Sequence, residues 1–90
     1  MISFDNKVIL ITGATRGIGK STADLFENSG AQLILTGTKE NEIKKLNNQY
    51  KNSNRKYFVL DLKSEDSINN FLSKLNQYNK IDILINNAGI

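Results

Sequence analysis

The sequence predicts an α/β protein built on a doubly wound parallel sheet, and three observations lead to that fold class. Short apolar runs rich in β-branched residues alternate with segments whose apolar residues recur at helical spacing. The connections between these segments are short, and the runs are apolar on both faces, as buried parallel strands are. Ninety residues, 39% of them hydrophobic and 23% charged, fit one globular domain with a thin core.

The first strand is predicted over residues 7–12, a run that ends at Gly13. A helix is predicted over residues 18–29, and Gly30 is expected to end it in a left-handed conformation. The expected buried stripe of this helix has four residues at i, i+4, i+7 and i+8: Ile18, Thr22, Leu25 and Phe26.

A second strand is predicted over residues 33–36, and a third over residues 57–60. Between them, Ile43, Leu46 and Tyr50 recur at helical spacing and predict a second helix. Residues rich in Asn and Ser follow that helix and indicate a turn before the third strand.

A third helix is predicted after Ser64, a good N-cap residue, because Glu65 and Asp66 then stand in its first turn. Its expected buried stripe has four apolar residues: Ile68, Phe71, Leu72 and Leu75. The fourth strand is predicted over residues 81–85.

The alternation β-α-β-α-β-α-β predicts strand order 3-2-1-4 if the crossovers are right-handed. The first two helices would then cover one face of the sheet, and the third helix would cover the other. The fourth strand is mostly apolar, yet no predicted helix follows to cover it. We therefore expect residues 1–90 to be the N-terminal part of a larger domain, or to need a partner.

Composition excludes several kinds of chemistry. The chain has no Cys and no His, so we expect no disulfide and no metal site. Its net charge of +3 arises from dispersed basic residues with no run longer than Lys44-Lys45, so nucleic acid is not an expected partner. The N-terminal apolar run, Val8 to Ile11, is too short for a membrane span or a signal sequence, and we expect a cytoplasmic protein.

Residues 12–19, Thr-Gly-Ala-Thr-Arg-Gly-Ile-Gly, join the first strand to the first helix. Glycines at such a junction allow positive φ angles and let backbone N–H groups approach a phosphate closely. The N-terminus of the following helix favours the negative charge of that phosphate. The segment therefore predicts a site for a dinucleotide pyrophosphate, and a glycine-rich turn without a ligand is the alternative.

The spacing Thr-Gly-x-x-x-Gly-x-Gly resembles the short-chain dehydrogenase/reductase family. Asp61-Leu62 after the third strand and Asn86-Asn-Ala-Gly89 after the fourth strand match two further motifs of that family. The resemblance covers the whole chain and implies a partial Rossmann-type dinucleotide-binding domain over residues 1–90. Within the family, residues 14–19, the Gly37-Thr38 turn and residues 86–90 look most like bacterial 3-oxoacyl-[acyl-carrier-protein] reductases of fatty-acid synthesis.

The resemblance implies a cofactor-binding role for most of the glycine loop. Four residues would surround the adenosine phosphates: Gly13, Ala14, Thr15 and Arg16. Three would lie beneath the pyrophosphate: Gly17, Ile18 and Gly19. Thr12 would brace the loop against the fourth strand.

The resemblance also assigns residues after the other strands. Thr38 would contact the adenosine ribose or its 2′-phosphate, Asp61 would accept a hydrogen bond from the adenine amino group, and the Leu62 N–H would meet a ring nitrogen. Three residues would line the ribose on the nicotinamide side: Asn87, Ala88 and Gly89. Asp61 as a strand-end cap and the two asparagines as turn formers are the alternatives.

We expect NADP(H) as the cofactor. Enzymes of the family that use NAD carry an acidic residue at the end of the second strand, where this chain has Gly37, and Arg16 is available to a 2′-phosphate. An aspartate introduced at Gly37 is accordingly expected to shift the preference toward NAD.

The family's catalytic Ser, Tyr and Lys have no counterparts in this chain, so no catalytic residue is assigned. The family needs a Lys four residues after the Tyr, and here the residues at that distance from Tyr50, Tyr57 and Tyr78 are Asn54, Asp61 and Asp82. We expect the chain alone to be inactive, the catalytic segment to lie beyond Ile90, and the full-length parent enzyme to be a homo-oligomer.

Two other functions are compatible with the sequence. Residues 14–21 nearly fit the phosphate loop G-x-x-x-x-G-K-[ST] of nucleoside triphosphatases, with Lys20 on the β/γ-phosphates and Ser21 on Mg²⁺. That alternative leaves Gly13, Gly17 and the Asn-Asn-Ala-Gly segment unexplained. A non-catalytic nucleotide-binding module is the second alternative.

Overall fold

The computed structural model describes residues 2–88, which form seven elements in the predicted alternation. The four strands are β1 (Val8–Thr12), β2 (Gln32–Gly37), β3 (Arg55–Val59) and β4 (Ile83–Asn86). The three helices are α1 (Gly17–Asn28), α2 (Glu40–Gln49) and α3 (Glu65–Leu75). The last two strands differ in extent from the prediction because pairing with a neighbouring strand decides where each begins and ends. Polar Arg55 thus lies in β3, and Asn86 lies in β4 opposite Thr12.

The four strands are parallel and lie in the order β3-β2-β1-β4, so the predicted topology is confirmed. Ile11 lies opposite Leu35 on one side and Ile85 on the other, and Leu35 lies opposite Tyr57. Residues opposite one another share a face of the sheet. Rows of apolar side chains therefore cross the sheet on both faces.

The two faces support two separate cores, and the predicted distribution of the helices is confirmed. The core beneath α1 and α2 contains these buried residues: Ile9, Ile11, Ala14, Ala23, Ala31, Leu33, Leu35, Ile43 and Tyr57. The core beneath α3 contains these: Val8, Leu10, Ile34, Phe58, Leu60 and Phe71. On each side, helices bury one stripe against a sheet that is apolar on both faces.

Helix α1 packs through small residues, and the predicted apolar stripe is wrong for two of its members. Ile18 and Leu25 are 78% and 70% exposed, whereas Gly19 and Ala23 are buried. Of the stripe, Phe26 packs against the core. The reason is distance, since at the points of closest approach to the sheet α1 has space only for small residues, here Gly19 and Ala23. In α3, Leu72 is likewise exposed, while the other three predicted residues pack. The left-handed end of α1 at Gly30 is confirmed by its φ of 93°.

Strand β4 is the less covered edge of the sheet. Leu84 lies opposite Leu10, on the face that α3 occupies, but it is 62% exposed because none of the described helices reaches it. For the described residues, the expectation of an uncovered fourth strand is thus confirmed on this face only, because Ile83 and Ile85 pack against the core on the other face. Among these residues, none of the helices has both the length and the apolar character that crossing a bilayer requires.

A buried cluster of charged groups links α1 to β3. The Arg55 side chain is only 4% exposed and forms ion pairs with Asp24 and Glu27 of α1. It also donates to the Tyr57 hydroxyl at 3.2 Å and stacks over the Tyr50 ring, 4.4 Å from its centroid. Burial by itself lowers the pKa of Arg55, but the hydrogen bonds to Asp24, Tyr57 and Glu27 outweigh it and raise that pKa above its ordinary value. The hydrogen bond from Arg55 is the main cause that lowers the pKa of Asp24.

We expect Arg55→Leu to lower the free energy of unfolding near pH 7 by roughly 2 kcal/mol. This is less than the roughly 3–5 kcal/mol typical of a broken buried ion pair, because both carboxylates are partly exposed and regain water. The folded-state pKa of Asp24 is lowered, so its contribution is present above the ordinary value of 3.8 and is lost as the pH falls through the folded-state value. The gap between wild type and variant should therefore narrow in acid.

Urea unfolding at about pH 7 and about pH 3 measures both effects. Lys51→Leu, which removes an exposed cation shortly after α2, is the control and should stay near wild type at both pH values. An Arg55→Leu deficit of the same size at both pH values would contradict this account of the cluster.

Candidate functional site

The segments predicted to form the site all follow the carboxyl ends of strands. Residues 13–16 follow β1, Thr38 follows β2, residues 61–62 lie just beyond β3, and residues 87–88 follow β4. Because the strands are parallel, these segments share one edge of the sheet. The chain reverses its direction of winding between β1 and β4, and ligands of open α/β sheets bind in the crevice at such a point.

The loop after β1 is held against β2 and β4 by its backbone. Gly13 has a φ of 63°, and a Cβ atom on it would lie 2.9 Å from the Ala88 Cα, so the position requires glycine. The Gly13 N–H donates to the Thr36 hydroxyl at 3.2 Å, and the Ala14 N–H donates to the Thr36 carbonyl at 2.9 Å. The end of β2 thus holds the beginning of the loop.

Thr12 and Asn87 join the loop to the end of β4. The Thr12 hydroxyl donates to the Asn86 side-chain oxygen at 2.9 Å and accepts from the N–H groups of Asn87 and Ala88 at 3.0 and 3.1 Å. The predicted brace by Thr12 is therefore confirmed. The Asn87 side chain donates to the Gly13 carbonyl at 3.0 Å, a role that sequence reasoning missed because it assigned Asn87 to the cofactor or to a turn.

The N-terminus of α1 differs from those of the other two helices. Its N-cap residue, Arg16, accepts no side-chain hydrogen bond from the helix, and its first turn contains no acidic residue. In α3 the Ser64 hydroxyl accepts from the Ser67 N–H at 3.2 Å, and two acidic residues stand in the first turn. Helix α2 also has two glutamates in its first turn. Only α1, among the described helices, leaves its partial positive charge without a compensating protein group, which suits an anion.

The last two glycines of the loop have different reasons to be glycine. A Cβ atom on Gly19 would lie 2.3 Å from the Gly13 carbonyl oxygen and 2.6 Å from the Asn87 side-chain nitrogen, so Gly19 permits close packing. Gly17 has a φ of 62°, and a Cβ atom on it would have no neighbour within 4 Å. The space above Gly17, at the uncapped end of α1, is thus an open backbone surface that fits a pyrophosphate.

The turn after β2 lies against the glycine loop. A Cβ atom on Gly37 would lie 2.4 Å from the Thr15 methyl carbon and 3.1 Å from the end of the Ile43 side chain. A side chain at position 37 therefore requires the Thr15 side chain to shift, and the change of preference toward NAD in Gly37→Asp stays a prediction. Thr38 and Arg16 are both exposed at this edge.

Asp61, Leu62 and Ile18 are predicted site residues that lie outside the contacts described above. Asp61 accepts from the Lys63 N–H at 3.0 Å and its own N–H donates to the Ser67 hydroxyl at 2.9 Å, so it caps the turn before α3. This uses one of its carboxylate oxygens, and Leu62 is exposed beside it. Ile18 is exposed on the first turn of α1. Gly89 lies outside the described residues.

Lys20 does not take the position that a triphosphate loop requires. Its ammonium group lies 3.2 Å from the Asp24 carboxylate, one helical turn further along α1 and away from the glycine loop. In the phosphate loop of nucleoside triphosphatases the equivalent lysine reaches the β/γ-phosphates instead. The side chain therefore serves an ion pair on the helix surface.

A parallel sheet of order 3-2-1-4, with a glycine loop leading into an uncapped helix, defines the N-terminal half of a Rossmann-type fold. The model of the short chain dehydrogenase family matches residues 7–90. The chain therefore belongs to the short-chain dehydrogenase family, whose members bind nicotinamide dinucleotides, and the triphosphate-loop alternative is set aside.

Relatives of the chain agree with this family. The 3-oxoacyl-[acyl-carrier-protein] reductases FabG of Salmonella typhimurium and Escherichia coli are 39% and 38% identical to it over 90 residues. In structure it is similar to 2-keto-3-deoxy-D-gluconate dehydrogenase from Streptococcus agalactiae, with a TM-score of 0.81 and 40% identity over 99% of this chain and 35% of that one. The chain covers 36% of the length of the two reductases.

The two glycines offer a matched pair of substitutions. We expect Gly19→Ala to lower the free energy of unfolding by roughly 2–3 kcal/mol, because the new Cβ meets backbone atoms that cannot move aside. Gly17→Ala should cost only about 1 kcal/mol, the strain of a left-handed alanine in open space. Urea unfolding of the two variants measures the difference. Equal costs would show that α1 does not pack against the loop as closely as described.

Proposed function

We propose that the chain is the cofactor-binding part of an NADP(H)-dependent short-chain reductase. The observation that carries the proposal is the uncapped N-terminus of α1, which is open at Gly17 while Thr12 and Asn87 hold the loop in place. Such an end offers backbone N–H donors and a partial positive charge to a pyrophosphate. Gly17, Ile18 and Gly19 would lie beneath that group, and residues 13–16 would surround the adenosine phosphates.

Charge at the end of β2 supports NADP(H) over NAD(H). Arg16, Thr38 and Lys39 are all exposed at this edge, and none of the described carboxylates lies within ion-pair distance of Arg16 or Lys39. Gly37 brings no negative charge, and its contact with Thr15 resists an acidic replacement. The sequence interpretation missed Lys39, which adds a second cation for a 2′-phosphate.

Residues after the two other strands would bind the rest of the cofactor. One Asp61 oxygen caps the turn, so the other can accept from the adenine amino group, with the Leu62 N–H beside it. Ala88 and the backbone of Asn87 would line the second ribose, since the Asn87 amide nitrogen already holds Gly13. When bound, the cofactor supplies the hydride, and these residues orient it at the edge of the sheet.

A 3-oxoacyl thioester of fatty-acid synthesis is the substrate that we propose for the whole enzyme. The support is the name of the reductases from Salmonella typhimurium and Escherichia coli, which match the chain along nearly all of its length. The structural relative from Streptococcus agalactiae is named for a different substrate, a keto-deoxy sugar acid, so the matched part is common to enzymes with different substrates. A cytoplasmic location and a homo-oligomeric parent enzyme are part of the same proposal.

A titration with each dinucleotide tests the choice of cofactor. We expect the chain to bind NADPH more tightly than NADH, and Arg16→Ala to weaken NADPH binding by roughly tenfold to a hundredfold with little effect on NADH. Lys20→Ala is the matched control and should change neither affinity, because Lys20 pairs with Asp24. Fluorescence of the reduced nicotinamide reports binding of both dinucleotides.

Two outcomes of that titration are decisive against the proposal. Tighter binding of NADH than NADPH would overturn the cofactor assignment. Loss of dinucleotide binding in Lys20→Ala, together with Mg²⁺-dependent binding of a nucleoside triphosphate, would instead identify the glycine loop as a triphosphate-binding loop.

We expect the ninety-residue chain by itself not to oxidise NADPH in the presence of a 3-oxoacyl thioester. General acid–base catalysis contributes about 10²–10⁴ in rate, and the chain contains no Tyr followed four residues later by Lys to supply it. An absorbance assay on protein of verified mass measures the rate against a reaction without protein. Turnover above that background would mean that another described group, such as Tyr57 or Lys20, acts as the acid.

A further inference from the structure

Strand β3 forms one edge of the sheet, so half of its backbone polar groups face away from β2. The register places Tyr57 opposite Leu35, and the Leu60 N–H donates to the Gly37 carbonyl at 2.9 Å. In a parallel pair, alternate residues bond to the neighbouring strand. The outward N–H and C=O groups of β3 are therefore those of Arg55, Tyr57 and Val59.

The side chain of Asn47 occupies the centre of this edge. From α2, its nitrogen donates to the Tyr57 carbonyl at 2.9 Å, and its oxygen accepts from the Tyr57 N–H at 2.8 Å. One carboxamide thus makes both hydrogen bonds that an opposing residue of an antiparallel strand would make. The Arg55 N–H is occupied as well, since it donates to the Ser53 hydroxyl at 3.2 Å. Among the described residues, the outward groups of β3 without a side-chain partner are thus the Arg55 carbonyl and the N–H and carbonyl of Val59.

Apart from Asn47, β3 has the properties of an edge strand that pairs with another strand. Residues 55–59, Arg-Lys-Tyr-Phe-Val, contain no Gly or Pro and end in three residues of high β-propensity. A groove of about 740 Å³ lies along the edge between α2 and α3, with Ile43 and Phe71 among its walls. An exposed edge of this kind is a template for another strand unless the protein blocks it.

We propose that Asn47 closes the outer edge of β3 against antiparallel pairing with β3 of a second copy of the chain. Two identical strands related by a two-fold axis near Tyr57 can exchange the hydrogen bonds that Asn47 now makes. The other edge of the sheet, at β4, has no comparable side-chain amide bonded to its outward groups in the described residues. Asn47 therefore protects one edge selectively.

The experiment compares Asn47→Ala with Asn48→Ala. Both changes remove an asparagine from α2 and raise helix propensity equally, but Asn48 is exposed and makes none of the side-chain hydrogen bonds found in the described residues. We expect Asn47→Ala to speed hydrogen exchange of the Tyr57 N–H about tenfold while the Phe58 N–H, which faces β2, stays unchanged. In sedimentation velocity, the fraction of dimer should rise with protein concentration in Asn47→Ala. At each concentration it should exceed the fraction of dimer in wild type and in Asn48→Ala.

A cross-link identifies the strand that pairs. The chain has no cysteine, so Lys56→Cys on β3 and Leu84→Cys on β4 are clean single reporters for a short bismaleimide. Asn47→Ala should give cross-linked dimer through position 56, and Asn48→Ala should not. If Asn47→Ala does not fold, Asn47→Gln is the second variant, because it retains the amide but displaces it by one methylene. We expect Asn47→Gln to show faster Tyr57 exchange and added dimer as well, each with a smaller magnitude.

The proposal fails if the Tyr57 N–H exchanges faster in folded Asn47→Ala but this variant forms no more dimer than wild type. It also fails if added association is cross-linked through position 84 alone, since β4 would then be the pairing edge. Unchanged exchange of the Tyr57 N–H in both Asn47 variants would show that the amide does not hold the edge.

Discussion

Close backbone contact between the end of β1, the start of α1 and the end of β4 is the constraint on which the rest of the structure depends. A Cβ atom at Gly13 would meet the Ala88 backbone at 2.9 Å, and one at Gly19 would meet the Gly13 carbonyl at 2.3 Å. With no side chain between them, the three segments are joined directly by hydrogen bonds from Thr12 and Asn87. The loop is thereby held in one conformation, and the N-terminus of α1 stays open to solvent.

The same closeness explains how α1 is attached to the sheet. Its buried residues, Gly19 and Ala23, are small and bury little area, so the helix needs other attachments. Arg55 of β3 supplies one attachment by pairing with Asp24 and Glu27. The ring of Phe4 supplies another by packing edge-on against Phe26 near the C-terminal end of α1, with 5.1 Å between the ring centroids. The helix is thus fixed at its loop end by glycine and along its length by charge and aromatic packing.

The sheet presents two different edges. At β3, two helices flank the strand, and side chains hydrogen-bond the Arg55 N–H and both the N–H and the carbonyl of Tyr57. At β4, Leu84 is exposed on one face although it follows the register of buried Leu10. The relatives match nearly the whole of this chain over about a third of their own length.

The sequence by itself determined the fold class, the strand order, the division of helices between faces and the position of the glycine loop. These follow from local periodicity, glycine spacing and the handedness of crossovers, which need no knowledge of distant contacts. Only the tertiary structure decided that α1 buries Gly19 and Ala23 and exposes Leu25, because helical spacing identifies a stripe but not how near the helix lies to the sheet. It also decided the pairing of Arg55 with Asp24 across 31 residues and the hydrogen bonds of Asn47 to Tyr57, since both depend on side chains that meet only after the sheet has formed.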